Sequence, residues 1–561
     1  MTSKVTTRTK STKIGQSVPI NMLSDGVLRV LFEHVVQSPK KIITYGHDVS
    51  YYRIKNPLWE VKVSHVCARW RALATGMSNL WTSFAISRST ESDAPIQRFE
   101  KYLERSRSRP IDIHIRFSEL YPSPELLAVA QRLIRMAFQH VERWRQVFIT
   151  IVTTESFIGL EELRSLLKDR HAPHLECVAF SFSVNSEGTD PSRAPSWDTD
   201  WIMDKADSDR FQPAILRAGC PRLRYCSFNL SASLYLFPPI STLTSLDLDF
   251  SSPYDLKSPI PWSIFKTILE QSPLVALSVG DSVVEHPDGA DSDSSTDYDD
   301  SAPIVMNHLQ QLRWGCVSTL DWDATSVFPE LISILKAPSL WRLSLYGLEL
   351  PDRGSFVAPF PSLNRIEFID CQPTGNAWLN RLAKASPSVT EAVVTATEAD
   401  YEKRQDKILR WVATGRIEEM NDDSDDPSAK KIRCPWVHLH TLIHIPNDWY
   451  IISELYPKLV KNRARQLLRR DRTRFCLKVP QWPVDEFETE GRCDELESKI
   501  DLVVFDLEDE FPTAMWPEDH TRGYRQGPGM YYCESESFAM RGLSSLEARY
   551  HLDREVGGCT C

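Results

Sequence analysis

One spacing recurs along this chain: an apolar residue followed by others three and five positions on. It occurs at Trp144/Val147/Ile149, Leu175/Val178/Phe180, Leu223/Cys226/Phe228, Leu243/Leu246/Leu248, Leu274/Leu277/Val279 and Leu309/Leu312/Trp314. It returns at Leu340/Leu343/Leu345, Leu363/Ile366/Phe368 and, more weakly, Val389/Ala392/Val394. Successive starts lie 31, 48, 20, 31, 35, 31, 23 and 26 residues apart. Side chains alternate along a strand, so the +3 and +5 residues share one face of a short strand. Many registers follow a Pro, as in Ala337-Pro338-Ser339-Leu340 and Phe360-Pro361-Ser362-Leu363, which marks a turn into each strand. Helix-like stretches, Trp262 to Glu270, Leu331 to Lys336 and Trp378 to Ala385, fall between the registers, and Glu125 to Val141 precedes the first. Repetition at this period predicts an α/β solenoid in which no unit buries its apolar side alone. An ordinary α/β domain whose strands share turn chemistry is the alternative, and the repeated step favours the solenoid.

The chain is long and apolar enough for several domains: 561 residues, 42% hydrophobic. A formal charge of -11 argues against a general nucleic-acid binder, which needs a basic footprint. Twelve cysteines without a Cys-x-x-Cys pair fit neither a disulfide scaffold nor a zinc ribbon. No apolar run reaches the length of a membrane span. The expectation is a soluble cytoplasmic or nuclear protein with no cofactor, no metal site and no membrane partner. Residues 1–18, rich in Ser, Thr and Lys, are expected to form a disordered tail.

Order is predicted to begin near Pro19. Ser24 is a candidate N-cap, Asp25 suits the positive end of a helix, and Val27, Leu28, Leu31, Phe32 and Val35 make its apolar stripe. Pro39 ends it. A second stripe, Val63, Val66, Cys67, Trp70, Leu73 and Ala74, predicts a helix stopped by Gly76, with Leu80-Trp81 returning bulk to the same core. Taken alone, residues 20–86 also fit a plain helical cap on whatever follows.

The Cys-x-x-Trp-Arg-x-x-Ala spacing followed by Leu-Trp resembles the second half of an F-box, and Leu23-Ser24-Asp25 resembles its opening. Ser24 stands where that family has proline, and Gly26 where it often has glutamate. Together with the repeats, the chain resembles the F-box-like leucine-rich-repeat proteins numerous in fungi. That resemblance implies a three-helix F-box-like module over residues 19–86 and an irregular leucine-rich-repeat horseshoe over 95–446. Acidic disordered insertions are expected at 281–302 and 418–426, and a C-terminal cap and tail at 447–561. It also implies a substrate-recognition subunit of a cullin–RING ubiquitin ligase, with no catalytic site of its own. The adaptor would meet Leu23, Val27, Leu28, Leu31 and Trp81, while Val66 and Trp70 hold the helices together. The competing function is an adaptor-independent interaction scaffold with no part in ubiquitin transfer.

Residues between the apolar positions of each register should lie on the concave face, outside the core. Aromatic and Arg side chains dominate desolvated interfaces, which selects Tyr225, Asp247, Arg313, Arg342, Tyr346 and Arg365 as contacts for an unknown protein substrate. Ser294 and Thr296 in the first acidic insertion are chemically suited to phosphorylation. Lys458 to Lys478 holds nine basic residues and is predicted to form a basic amphipathic helix. His438, His440 and His444 share strand parity, but no cysteine or carboxylate completes a metal set. Cys559-Thr560-Cys561 is similar to the prenylated tails of Rab-type small GTPases, yet Gly558 breaks the C-a-a-X pattern, so a frayed tail is expected. No G-x-S-x-G, H-E-x-x-H, Walker A or G-x-G-x-x-G motif occurs, which favours a binding protein over an enzyme.

Overall fold

The prolines that punctuate the sequence set the first step of the fold. The computed structural model describes residues 20–37, 58–86, 92–118, 123–153, 160–184, 212–229, 236–249, 259–280, 283–285, 302–315, 326–350, 356, 359–369, 371–395, 402–415, 435–445, 455–470, 474–479, 484 and 498–504. In the turns starting at Ala172, Cys220, Ala337, Phe360 and Ser386, the N–H of the fourth residue donates to the carbonyl of the first, at 3.3, 3.0, 3.1, 3.2 and 3.4 Å. Proline stands second in all five, where its fixed φ suits a tight turn. Hydroxyls at the third position tie successive turns together: Ser339 Oγ donates to Asn307 O at 2.7 Å and Ser388 Oγ to Pro361 O at 2.6 Å.

Each turn opens into a short strand. Tyr225–Asn229, Ser245–Asp249, Ala276–Gly280, Gln311–Gly315, Arg342–Tyr346, Arg365–Ile369 and Glu391–Thr395 put their second and fourth residues, the +3 and +5 positions, into the core. All twenty-seven residues of the nine registers are at most 2% exposed. The strands stand side by side in chain order within an open sheet that has fourteen strands among the described residues, every neighbouring pair parallel. Parallel pairing forces a crossover after each strand. Helices Pro124–Gln139, Trp262–Gln271, Phe328–Ile334 and Asn376–Ala385 supply several of them. Ser123 caps the first of these by accepting from Leu126 N–H at 3.2 Å. Aromatic rings carry the core from unit to unit: Phe265 to Trp314 at 5.9 Å, Trp314 to Phe328 at 6.0 Å, Phe328 to Trp378 at 6.1 Å. The chain is thus α/β, built on one large parallel sheet.

The sheet runs past both bounds, 95 and 446, read from the sequence. It begins with Ser83–Ile86 and ends, among the described residues, with Thr441–Ile445, Phe475–Val479 and Ile500–Val504. Leu439/Leu442/His444 is a tenth register, hidden by its polar last member and fully buried. The basic segment is a helix only over Tyr456–Arg470, and its end belongs to the strand Phe475–Val479. Leu459, Val460 and Leu467 are buried, and so is Arg463, whose guanidinium donates to the carbonyls of Pro435, Trp436 and Val412. This arginine clamps the helix to two neighbouring segments. Residues 1–18, the insertion at 418–426, most of that at 281–302 with Ser294 and Thr296, and the Cys-Thr-Cys end lie outside the described residues.

Candidate functional site

Three short helices form the N-terminal module: α1 (Asp25–Gln37), α2 (Trp59–His65) and α3 (Ala68–Gly76). Ser24 Oγ accepts from Val27 N–H at 3.4 Å, a long contact at the N-terminus of α1. Leu28 and Phe32 lie on the inner stripe of α1, and the Phe32 ring meets Trp70 at 4.8 Å. Val27, Val30 and Leu31, at i, i+3 and i+4, form a second apolar row that stays exposed. Arg69 joins α3 to the start of α1 through Asp25 Oδ1 at 2.6 Å and Leu23 O at 2.7 Å. Leu23 is half-buried against the core.

Three side-chain expectations are corrected. Leu28 is fully buried, so it holds the helices rather than meeting a partner. Trp81 is 1% exposed: its Nε1 donates to Ala74 O at 2.8 Å, and Arg105 sits over its ring at 4.2 Å. Val66, by contrast, is 57% exposed. The stripe from Val63 to Ala74 is two helices, broken at Val66 and Cys67, where Cys67 is extended (φ -158, ψ 171). That break turns Val66 out of phase with Trp70. Beyond the module, Tyr102 Oη donates to the buried carboxylate of Glu60, joining α2 to helix Ala94–Ser106. Burial and the Glu60 charge push the Tyr102 phenol well above its ordinary range.

The second face of the sheet holds the residues selected for partner binding. Strand register lines up Ser227, Asp247, Ser278, Arg313, Ser344 and Glu367 in one row, with Tyr225, Ser245, Ala276, Gln311, Arg342, Arg365 and Glu391 in the next. Tyr225 and Asp247 are 2% exposed and Arg313 8%, so they are not open surface. Tyr225 packs with Phe148, Cys177 and Ala179 in a small apolar cluster of its own, and Asp247 accepts from Ser227 Oγ at 2.9 Å. Tyr346 ends its strand, and its side chain lies outside the described residues. Arg342 grips Glu367 through Nε and Nη2, both at 3.0 Å. Arg365 Nε adds a bond at 2.6 Å and Ser344 Oγ another at 2.5 Å, while Arg365 Nη1 reaches Glu391. Burial alone would raise the Glu367 carboxyl; the two guanidinium groups outweigh it and hold the pKa down to about 2.

Glu391 and the matching pair Asp112–Arg145, bonded at 2.8 and 2.6 Å, are not among the residues selected from the sequence. The signal for the first was present: superposed registers read Arg342, Arg365, Glu391 at one strand position and Ser344, Glu367 two residues on. It is a cross-strand pattern, visible only after alignment. His444 is on the core side, with Nδ1 2.5 Å from Tyr456 Oη, and burial pushes its pKa down to about 3. Among the described residues no group of three or more His, Cys, Asp and Glu is placed to hold a metal, and no helix is long and apolar enough to cross a membrane. Compared with known proteins, the chain matches no family and no curated sequence.

Proposed function

We propose that this chain is the substrate-recognition subunit of a cullin–RING ubiquitin ligase. Its N-terminal helices act as the F-box-like adaptor dock, and its repeated sheet acts as a leucine-rich-repeat receptor for a protein substrate. The observation that carries this is the outward row of α1. Val27, Val30 and Leu31 are 46%, 65% and 38% exposed, beside Met22, Trp59 and Val66 in the same module. Seven of the twelve large exposed apolar side chains among the described residues fall within residues 20–66, and such concentrations mark interaction sites. The adaptor contacts are then Leu23, Val27 and Leu31, with Val30 added; Leu28 and Trp81 support them from inside. Capture of purified ligase adaptor by the full chain tests this. Wild type should retain the adaptor and Val30→Asp should lose it; no capture by wild type overturns the reading.

An adaptor-independent scaffold draws its support from Ser24 and Gly26, which depart from the family's opening. Partner turnover separates the two. A partner that accumulates when the chain is deleted supports the receptor, and unchanged turnover with lost complex assembly supports the scaffold.

A further inference from the structure

The chain carries a formal charge of -11, yet one rim of its sheet is basic. The turns that lead into strands Cys177–Val184 and Tyr225–Asn229 run alongside each other. Leu216 N–H donates to Leu167 O at 2.9 Å, Arg217 N–H to Lys168 O at 2.8 Å, Ala172 N–H to Gly219 O at 2.9 Å and Arg224 N–H to Glu176 O at 2.9 Å. Main-chain pairing of this kind brings Lys168, Arg170, Arg217, Arg222 and Arg224 together, against only Asp169 and Glu176 on the same turns. The four arginines are exposed, and none has an ion-pair partner among the described residues. Two are steered by their own turns: Arg170 Nε donates to Leu166 O at 3.4 Å and Arg217 Nε to Pro213 O at 3.0 Å.

The track continues along the rim. Glu176 N–H donates to Arg145 O at 2.8 Å, and Arg143 Nε to Arg109 O at 3.1 Å, which brings in exposed Arg107 and Arg109. Four adjacent strands at ~4.8 Å spacing make the track roughly 15 Å wide. Exposed arginines such as Arg170, Arg217, Arg222 and Arg224, with no ion-pair partner among the described residues, are poised on a protein of opposite net charge for a ligand that reaches them locally.

We propose that this rim binds an extended acidic segment of a partner protein. The proposal deepens the receptor reading and rests on it for the partner being a protein. A short acidic segment meets only the rim within a Debye length of ~8 Å, whereas a long polyanion also meets the repulsion of the whole chain. Residues 166–176 and 213–224 offer no Phe, Tyr or Trp on which a base could stack.

The test is fluorescence anisotropy of the full chain with a labelled peptide of alternating Glu and Ser, its Gln/Ser counterpart, and a thymidine oligonucleotide. The acidic peptide should bind, the Gln/Ser peptide should not, and added salt should weaken binding. The triple variant Arg170→Glu, Arg222→Glu, Arg224→Glu should lose about tenfold in affinity, since each reversal removes one attraction and adds one repulsion. The control triple Lys266→Glu, Lys384→Glu, Lys461→Glu changes net charge equally and should lose less than about twofold. Equal loss in both triples, no peptide binding, or tighter binding of the oligonucleotide would overturn the proposal. Adaptor capture is measured on the same variants. Retained capture with lost peptide binding assigns the effect to the rim, and missing capture with intact peptide binding sinks the ligase reading alone.

Discussion

The outward row of α1 and the second face of the sheet are opposites. On α1, the apolar side chains of Val27, Val30 and Leu31 are exposed. On the sheet, polar side chains are buried or half-buried and bound to one another: Arg342, Arg365, Ser344 and Glu367 form one network. A polar residue on the face away from the main core is therefore not free for recognition, because a neighbouring strand can satisfy it first. An apolar residue on a helix stays unsatisfied until something covers it. Availability, more than residue type, separates the exposed α1 row from the Arg342–Glu367 network.

Substitutions can break this contrast. The largest loss is expected at Trp81→Ala, since emptying a buried tryptophan site costs about 4 kcal/mol. Urea unfolding of the full chain should show an early transition for the N-terminal module; a melt unchanged from wild type would put Trp81 back on the surface. Next comes Glu367→Gln, which removes the carboxylate that holds Arg342 and leaves Arg365 to Glu391, and should cost ~3 kcal/mol. Its pH signature is specific. The folded pKa of about 2 lies below the unfolded carboxylate value, so this contribution is fully present above about pH 5 and lost as pH falls toward 2. Acid titration should destabilise wild type more steeply than Glu367→Gln across that window, and identical slopes would show that the network does not hold the charge. The smallest effect on stability, within about 0.5 kcal/mol, is expected at Val30→Asp, where an exposed side chain is exchanged. A large loss of stability there would mean that the α1 row is packed, and would remove the basis for a docking face.

Much of the fold was legible because it rests on period. The +3/+5 step places its residues on one side of a strand whatever their neighbours are, and all nine registers are buried. The proline turns were equally local. The candidate site was legible only in part. Val27 and Leu31 lie on the helical spacing of α1, but Leu28 shares that spacing and lies inside; Leu23 and Trp81 entered through the resemblance alone, and Trp81 is buried as well. A stripe identifies the apolar faces of a helix; it does not say which one meets its own protein. Val66 went astray because the break at Cys67 is a backbone event without proline or glycine to announce it.

By itself, the sequence determined the α/β class, the proline turns and the buried side of each register, since these follow from alternation, helical period and the fixed φ of proline. Tertiary structure decided the partnerships. Only parallel pairing sets Glu367 between Arg342 and Arg365, and only the packing of α1 against Trp70 makes one apolar row core and the other surface. The lateral contact of two turns is likewise what gathers Arg170, Arg217, Arg222 and Arg224 onto one rim. Such contacts join residues tens of positions apart, and their energies depend on burial and distance, quantities that exist only once the chain is folded.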